Sequence, residues 1–143
     1  LSAGFAKEAL TQNDQAIRIS PGNVSFWKTR TKIYYSLSAF DPLLNDAAIA
    51  ALEKAAALSP NDPKIYYNLA ILHGRPGNNE KAVEMLTQAM DLKPNYRDAH
   101  YGLYVFYMEL NKPAEARAVL EKYLSNVDPN DANFREILEK STP

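Results

Sequence analysis

Small and apolar residues recur at intervals of three and four in four stretches of the chain, and a proline ends each stretch. The stretches read ALTQNDQAIRISP, AIAALEKAAALSP, AVEMLTQAMDLKP and ARAVLEKYLSNVDP. Such intervals place side chains on one face of an α-helix, and proline cannot continue the helix before it. The pattern therefore predicts four helices that end before Pro21, Pro60, Pro94 and Pro129.

Segments rich in aromatic residues follow the first three prolines. They read NVSFWKTRTKIYYSLS, DPKIYYNLAILHG and YRDAHYGLYVFYMEL. Asn23, Asp62 and Asn95 suit the N-cap position of these helices, and Pro63 suits a first helical position. The recurring unit is therefore predicted to be a helix, a turn and a second helix.

The unit recurs at a nearly constant interval. The four prolines are 39, 34 and 35 residues apart, and LSPNDPKIYYNLA at 58–70 is echoed by LKPNYRDAHYGLY at 92–104. A period between about 20 and 50 residues is typical of repeat proteins, in which stacked units share one core.

The period and its residue pattern resemble those of tetratricopeptide repeats (TPR). The stretch 63–96 matches the family pattern at every position except His73, through Tyr66, Leu69, Ala70, Ala82, Leu86, Ala89 and Pro94. The resemblance implies an all-α fold, a right-handed superhelical solenoid of antiparallel helix pairs. It would contain about three full units, a leading half unit and a C-terminal capping helix.

We expect residues 1–143 to form one such array. Residues 1–20 would be the second helix of a truncated unit, 24–60 a unit with an elongated second helix, 63–94 and 97–128 further units, and 130–141 the capping helix. A start within a unit and a capped end fit a C-terminal piece of a longer chain. The short capping segment carries apolar Phe134, Ile137 and Leu138 among charged residues, as a terminal repeat requires.

The turns between paired helices differ along the chain. The first full unit has five extra residues within SAFDPLLNDAA. We favour an early start of its second helix, with Asp41 as N-cap and Pro42 as first helical residue, over a longer loop. Gly77 and Asn111 occupy the corresponding turns of the next two units, where a left-handed residue is needed.

The resemblance also implies a concave groove lined by the first helix of each unit. Residues at the groove positions would bind a partner segment, and tyrosine suits such surfaces because it offers large contact area and a hydroxyl. Alternatively, these residues line a solvated edge or pack on a second copy of the chain. The predicted groove residues are Lys28, Lys32, Tyr35, Lys64, Tyr67, Asn68, Ile71, Asp98, Tyr101, Val105 and Met108. Trp27, Tyr34, Tyr66, Tyr104 and Tyr107 are assigned to the core instead.

One TPR variant clamps the C-terminal carboxylate of chaperones. Lys28 and Asn68 fit its pattern, whereas Lys32, Asp98 and Gly102 do not. Asp98 would repel a carboxylate, so chaperone-tail clamping is rejected.

Composition narrows the function further. The net charge is −1, which argues against nucleic acid as a partner and against general attraction to anionic membranes. The chain has no cysteine, and no apolar run approaches the roughly 20 residues of a membrane span. His73 and His100 lack ligand partners at metal-binding spacing, so we expect packed, neutral histidines. We predict no cofactor, no metal site and no catalytic activity, and no membrane insertion by this segment.

Several functions remain open. The first is a scaffold for protein–protein interaction, in which the groove binds a protein or peptide segment. Another is a structural appendage that positions or oligomerises an enzyme; glycan recognition and RNA binding follow. The run SPGNVSFWKTRTKIYYSL is similar to TPR tails of bacterial O-antigen ligase or polymerase-like membrane proteins. That resemblance would place the segment outside the cytoplasmic membrane, in contact with polysaccharide assembly, although the residues themselves leave the compartment unknown.

Overall fold

The computed structural model describes residues 3–141. The ends of the predicted ranges at residues 1–2 and 142–143 lie outside the described residues. All regular secondary structure between residues 3 and 141 is helical, so the predicted all-α class is confirmed. The helices are α1 (Ala3–Ile19), α2 (Val24–Leu37), α3 (Leu44–Leu58), α4 (Pro63–Gly74), α5 (Asn79–Leu92), α6 (Arg97–Glu109), α7 (Pro113–Asn126) and α8 (Ala132–Lys140).

The chain divides into two compact units, one up to Ile65 and the other from Tyr66 onward. In the first unit, α2 packs against both α1 and α3. The connections are short, which favours antiparallel neighbours. Its buried apolar side chains are mostly small, which lets helix backbones approach closely: Ala6, Ala48, Ala51, Leu52, Ala55 and Ile65.

A polar network joins α1 to α2 in the first unit. The buried Asn13 amide donates to the Phe26 carbonyl at 2.9 Å and accepts from Arg30 Nε at 2.7 Å. Arg30 also forms an ion pair with Asp14. Both ends of the buried amide are therefore satisfied, which is the condition under which a polar side chain can lie between two helices.

In the second unit, α6 packs against α5 and α7, and α7 packs against α8. Gly102 on α6 is a point of close approach. A Cβ built there would lie 2.9 Å from Leu86 Cδ1 of α5, and Leu86 is fully buried. The apolar core of this unit comprises Leu69, Ala70, Leu72, Ala82, Met85, Leu86, Ala89, Ala99, Leu103, Ala116, Leu120, Tyr123, Phe134 and Leu138.

The two predicted left-handed turns are confirmed. Gly77 has φ +90° and Asn111 has φ +57°. After each, a backbone N–H donates to a carbonyl five residues earlier: Asn78 N to His73 O at 3.1 Å, and Lys112 N to Tyr107 O at 2.8 Å. This six-to-one bond is the Schellman pattern, which satisfies carbonyls left free at the end of a helix.

The predicted early start of α3 is wrong. Asp41 is not its N-cap and Pro42 is not helical, because the helix begins at Leu44. Instead, Asp41 Oδ1 accepts from Leu43 N at 3.1 Å and stabilises a turn. The extra residues are distributed: α2 is two residues longer than α4, α3 is one longer than α5, and the connection 38–43 is two longer than 75–78.

Two of the three predicted N-caps are confirmed. Asn23 Oδ1 accepts from Ser25 N and Asp62 Oδ1 from Lys64 N, each at 3.0 Å. The assignment of Asn95 is wrong, since Tyr96 is the N-cap of α6 and makes no side-chain capping bond.

Candidate partner-binding surface

Helix α6 has one buried side and one side that faces solvent. Its buried residues are Ala99, His100, Gly102 and Leu103. The opposite side carries four predicted groove residues at helical spacing, Asp98, Tyr101, Val105 and Met108, which we call the α6 face. Tyr101 is 43% exposed and Met108 47% exposed, Asp98 is also exposed, and Val105 is partly buried. The positions that the family spacing assigns to the groove therefore lie apart from the buried side of this helix.

The ring of Tyr101 packs near two other aromatic rings. It stacks near Tyr104 and Phe134, with centroid distances of 6.2 and 6.3 Å. Phe134 of α8 is fully buried and makes an edge contact with Tyr123 at 4.9 Å. Because its neighbours restrict the Tyr101 ring, a ligand would order little additional side-chain freedom on binding there.

Three predicted groove residues lie on the part of α4 that belongs to the second unit. Asn68 is exposed, whereas Tyr67 and Ile71 are partly buried. The Tyr67 ring lies 5.4 Å from the Tyr96 ring. Burial raises the pKa of the Tyr67 hydroxyl, and the negative charge of Asp98 raises it further.

Asp98 is an exposed carboxylate near the start of α6. Among residues 3–141, no Lys, Arg or His forms an ion pair with it. The adjacent Arg97 is occupied by Asp131, and the Lys93 ammonium lies over the Tyr96 ring at 5.0 Å. The α6 face therefore combines an exposed carboxylate with aromatic and apolar surface.

Arg97 and Asp131 form a pair that fixes α8 to the start of α6. Arg97 donates from Nε to Asp131 Oδ2 at 2.5 Å and from Nη2 to Oδ1 at 3.0 Å. Asp131 also caps α8 by accepting from Phe134 N at 3.0 Å. The Arg97 bond, followed by smaller contributions, holds the pKa of Asp131 below its ordinary value of 3.8 although burial acts to raise it.

The predicted groove residues of the first unit have a different chemistry. Lys28 Nζ donates to Asp62 Oδ2 at 2.6 Å. Burial acts to raise the pKa of Asp62, but the Lys28 ammonium and backbone N–H of Lys64 outweigh it and leave the pKa lowered. Lys32 and Lys64 are exposed and Tyr35 is 45% exposed. The positive charge of Lys28 is therefore compensated by Asp62.

The sequence analysis missed both ion pairs. In each, an aspartate at the start of a helix binds a cation 34 residues earlier, one repeat length away. Opposite charges at the repeat interval were a usable signal, because Lys28 and Asp62, and Arg97 and Asp131, can be recognised in the printed sequence.

The residues assigned to the core are partly buried rather than fully enclosed, namely Trp27, Tyr34, Tyr66, Tyr104 and Tyr107. Trp27 satisfies its indole N–H by donating to the Pro21 carbonyl at 2.8 Å. His100 is buried with Nδ1 2.9 Å from the Tyr96 carbonyl, and burial lowers its pKa. A neutral, packed His100 agrees with the expectation.

Among residues 3–141, no three His, Asp or Glu side chains lie together in a group that could hold a metal ion. Over the same residues, none of the helices has both the length and the hydropathy needed to cross a bilayer.

The paired helices are typical of α-helical repeat proteins. Comparison of the sequence with family profiles identifies the kind of repeat. A tetratricopeptide repeat profile matches residues 75–140 and a TPR repeat profile matches 45–77. Tetratricopeptide repeats therefore occupy residues 45–140 of the chain.

Solved structures agree with this assignment. The structure of MamA superposes with a TM-score of 0.74 at 22% identity, covering 96% of this chain and 77% of that one. A thermophilic TPR protein of Thermus thermophilus gives 0.74 at 19% identity, covering 96% and 73%. These likenesses establish the fold.

Curated relatives match over one stretch of their length. Mitochondrial import receptor subunit TOM70 of Saccharomyces cerevisiae is 35% identical over 80 residues, 56% of this chain and 13% of the receptor. The peroxisomal targeting signal receptor of the same yeast is 30% identical over 88 residues, 62% and 14%. Human protein O-mannosyl-transferase TMTC3 is 29% identical over 81 residues, 56% and 9%. The chain thus spans only about a seventh or less of these relatives.

Proposed function

We propose that this chain is a non-catalytic interaction module that binds a segment of a partner protein on the α6 face and the adjoining residues of α4. The observation that carries the proposal is the exposure of Tyr101 and Met108 on a helix whose other side is buried. Exposed aromatic and thioether side chains supply the contact area on which protein recognition commonly depends.

The relatives support an interaction role. The two yeast proteins are named as receptors, and the first TPR domain of Spaghetti (RPAP3), solved with a chaperone peptide, superposes with a TM-score of 0.67. That peptide is not transferred to this chain. Asp98 lies on the α6 face, where it would repel the terminal carboxylate of such a ligand.

Affinity capture with a matched pair of variants tests the proposal. Tyr101→Ala removes the exposed ring of the α6 face, whereas Leu92→Ala removes a comparably exposed apolar side chain, 39% accessible, at the end of α5. Proteins captured by the wild type should be lost with Tyr101→Ala and retained with Leu92→Ala. Equal capture by all three proteins would exclude the α6 face as the binding surface.

The finer interpretation, a TPR tail of an O-antigen ligase or polymerase-like protein outside the bacterial cytoplasmic membrane, stays a prediction. It is supported by the residue resemblance at 20–37, and none of the relatives named above is such an enzyme. Sequencing of the gene around this segment tests it. About ten apolar spans before the segment would favour it, and a parent without such spans would contradict it.

A further inference from the structure

The charge and side-chain types of the α6 face indicate which kind of segment fits it. We infer that the α6 face recognises a basic segment, in which an Arg or Lys contacts Asp98 and the neighbouring tyrosines, and an apolar residue contacts Val105 and Met108. This inference rests on the proposed function and adds the chemistry of the partner.

Asp98 supplies the negative charge of the α6 face. It is exposed, and among the residues that the structure describes no cation forms an ion pair with it. The nearby guanidinium of Arg97 is held in two hydrogen bonds by Asp131, and Asp98 acts on it only as a neighbouring charge that is not hydrogen-bonded to it. An incoming cation would meet an exposed carboxylate that no ion pair among residues 3–141 occupies, which favours a partner of opposite charge.

Tyr101 and Tyr67 supply aromatic rings near Asp98. Tyr101 lies three residues further along α6, on the same side of the helix, and keeps 43% of its surface exposed. Tyr67 of α4 is close enough for the Asp98 charge to raise its hydroxyl pKa further, beyond the effect of burial. Aromatic faces attract the cationic groups of Arg and Lys. Carboxylate and ring together therefore favour a basic side chain.

A contact within the chain shows the same preference. The Lys93 ammonium lies over the Tyr96 ring at 5.0 Å, and the Tyr96 ring in turn lies 5.4 Å from the Tyr67 ring. This group of tyrosines thus already accepts one cation on an aromatic face. An acidic segment placed at Asp98 would instead meet a like charge, which is repulsive.

The length of the face sets the spacing in the partner. Asp98 and Met108 are ten residues apart on α6, about 15 Å at 1.5 Å per residue. An extended chain advances about 3.3 Å per residue, so this distance corresponds to four or five residues. We therefore expect a basic residue and an apolar residue separated by about that interval.

Fluorescence anisotropy with synthetic peptides tests the inference. The probe is a labelled, extended peptide of Ser and Thr with one Arg and, five positions away, one Leu; the comparison peptide has Glu in place of Arg, and both are made in both chain directions. The Arg peptide should bind the wild type about tenfold more tightly than the Glu peptide, as expected for one exposed ion pair with an adjacent ring. Higher salt should reduce the difference.

Two variants with the same change of charge make the result specific. Asp98→Asn should reduce the preference to about twofold or less. Asp91→Asn, on the exposed surface of α5, should leave it unchanged. Both sites are exposed, so neither variant is expected to perturb folding.

The possible outcomes distinguish the chemistry of the partner from the interaction role. Equal binding of the Arg and Glu peptides, no binding of either, or a preference that survives Asp98→Asn would overturn the inference. In those cases, capture of a partner that depends on Tyr101 would still support the interaction role. If the Arg peptide binds more tightly but protein capture does not depend on Tyr101, the basic-segment chemistry is supported. The proposed role in binding a partner protein is then contradicted.

Discussion

The attachment of α8 to the second unit depends on Asp131, and its removal should loosen that helix selectively. Only 7% of the Asp131 side chain is exposed, and it accepts bonds both from Arg97 and from the backbone of α8. Asp131→Ala removes all of these bonds. Asp131→Asn removes the charge but keeps an oxygen that can cap the helix, so the two variants separate the cap from the ion pair.

The expected magnitude follows from the contacts. Loss of an N-cap oxygen costs about 1 kcal/mol. The Arg97 pair is bidentate, but 42% of the Arg97 side chain is exposed to solvent, so we assign it about 1 kcal/mol rather than the value for a buried pair. Asp131→Ala should therefore destabilise α8 by about 2 kcal/mol, and Asp131→Asn by about 1 kcal/mol.

Amide hydrogen exchange is the suitable assay because the chain has two units and a single unfolding midpoint would mix them. At about 1.4 kcal/mol per tenfold, protection of α8 amides should fall about 30-fold in Asp131→Ala and about fivefold in Asp131→Asn. Amides of α1–α3, in the first unit, are the internal reference. Glu139→Gln, an exposed change of charge on α8, is the control variant.

Acid should abolish the difference that depends on charge. Because the pKa of Asp131 is lower in the folded protein, its ionised form contributes stability above the ordinary value of 3.8, and this contribution is lost as the pH falls through the folded pKa. The gap between wild type and Asp131→Asn should close there. Unchanged protection of the α8 amides in Asp131→Ala, or an equal loss of protection in both units, would contradict this prediction.

Three further changes test single contacts. Gly102→Ala places a methyl group 2.9 Å from Leu86 Cδ1 in a filled core and should lower the stability of the second unit by about 1 kcal/mol despite the better helix propensity of alanine, measured by hydrogen exchange of the α6 amides; higher protection of those amides would contradict the packing. Asn111→Ala should cost about 1 kcal/mol at φ +57°, whereas Asn111→Gly should cost nothing, and equal hydrogen-exchange protection of the α6 amides in the two variants would argue against strain there. Lys28→Met removes the ammonium that offsets the effect of burial on the pKa of Asp62, so this pKa should rise in a carboxyl NMR titration. An unchanged pKa would exclude the ion pair in solution.

The sequence was most informative where one residue type satisfies a local requirement. Gly77 and Asn111 occupy positions that need positive φ, and both were identified from the chain alone. The family resemblance placed Tyr101 among the groove residues, and its side chain is 43% exposed on a helix whose other side is buried. These features depend on backbone sterics and helical periodicity, which act within a few residues.

Prediction failed where neighbouring residues offer two alternative helix starts and where distant residues decide the outcome. Asp41 followed by Pro42 reads as a helix start, yet the carboxylate is used in a turn and α3 begins later. Asn95 was predicted to be the N-cap of α6, but Tyr96 holds that position. The compensation of Lys28 by Asp62 depends on stacking of successive repeats, which no local rule describes.

The role of the α6 face can be measured directly by chemical-shift mapping of the 15N-labelled chain during titration with the Arg–Leu peptide. We expect the amide shifts of the α6 face and of Tyr67 to change in proportion to occupancy, and the amides of α1 to stay unchanged. Shifts centred on α1 or α3, with the α6 amides unmoved, would contradict it.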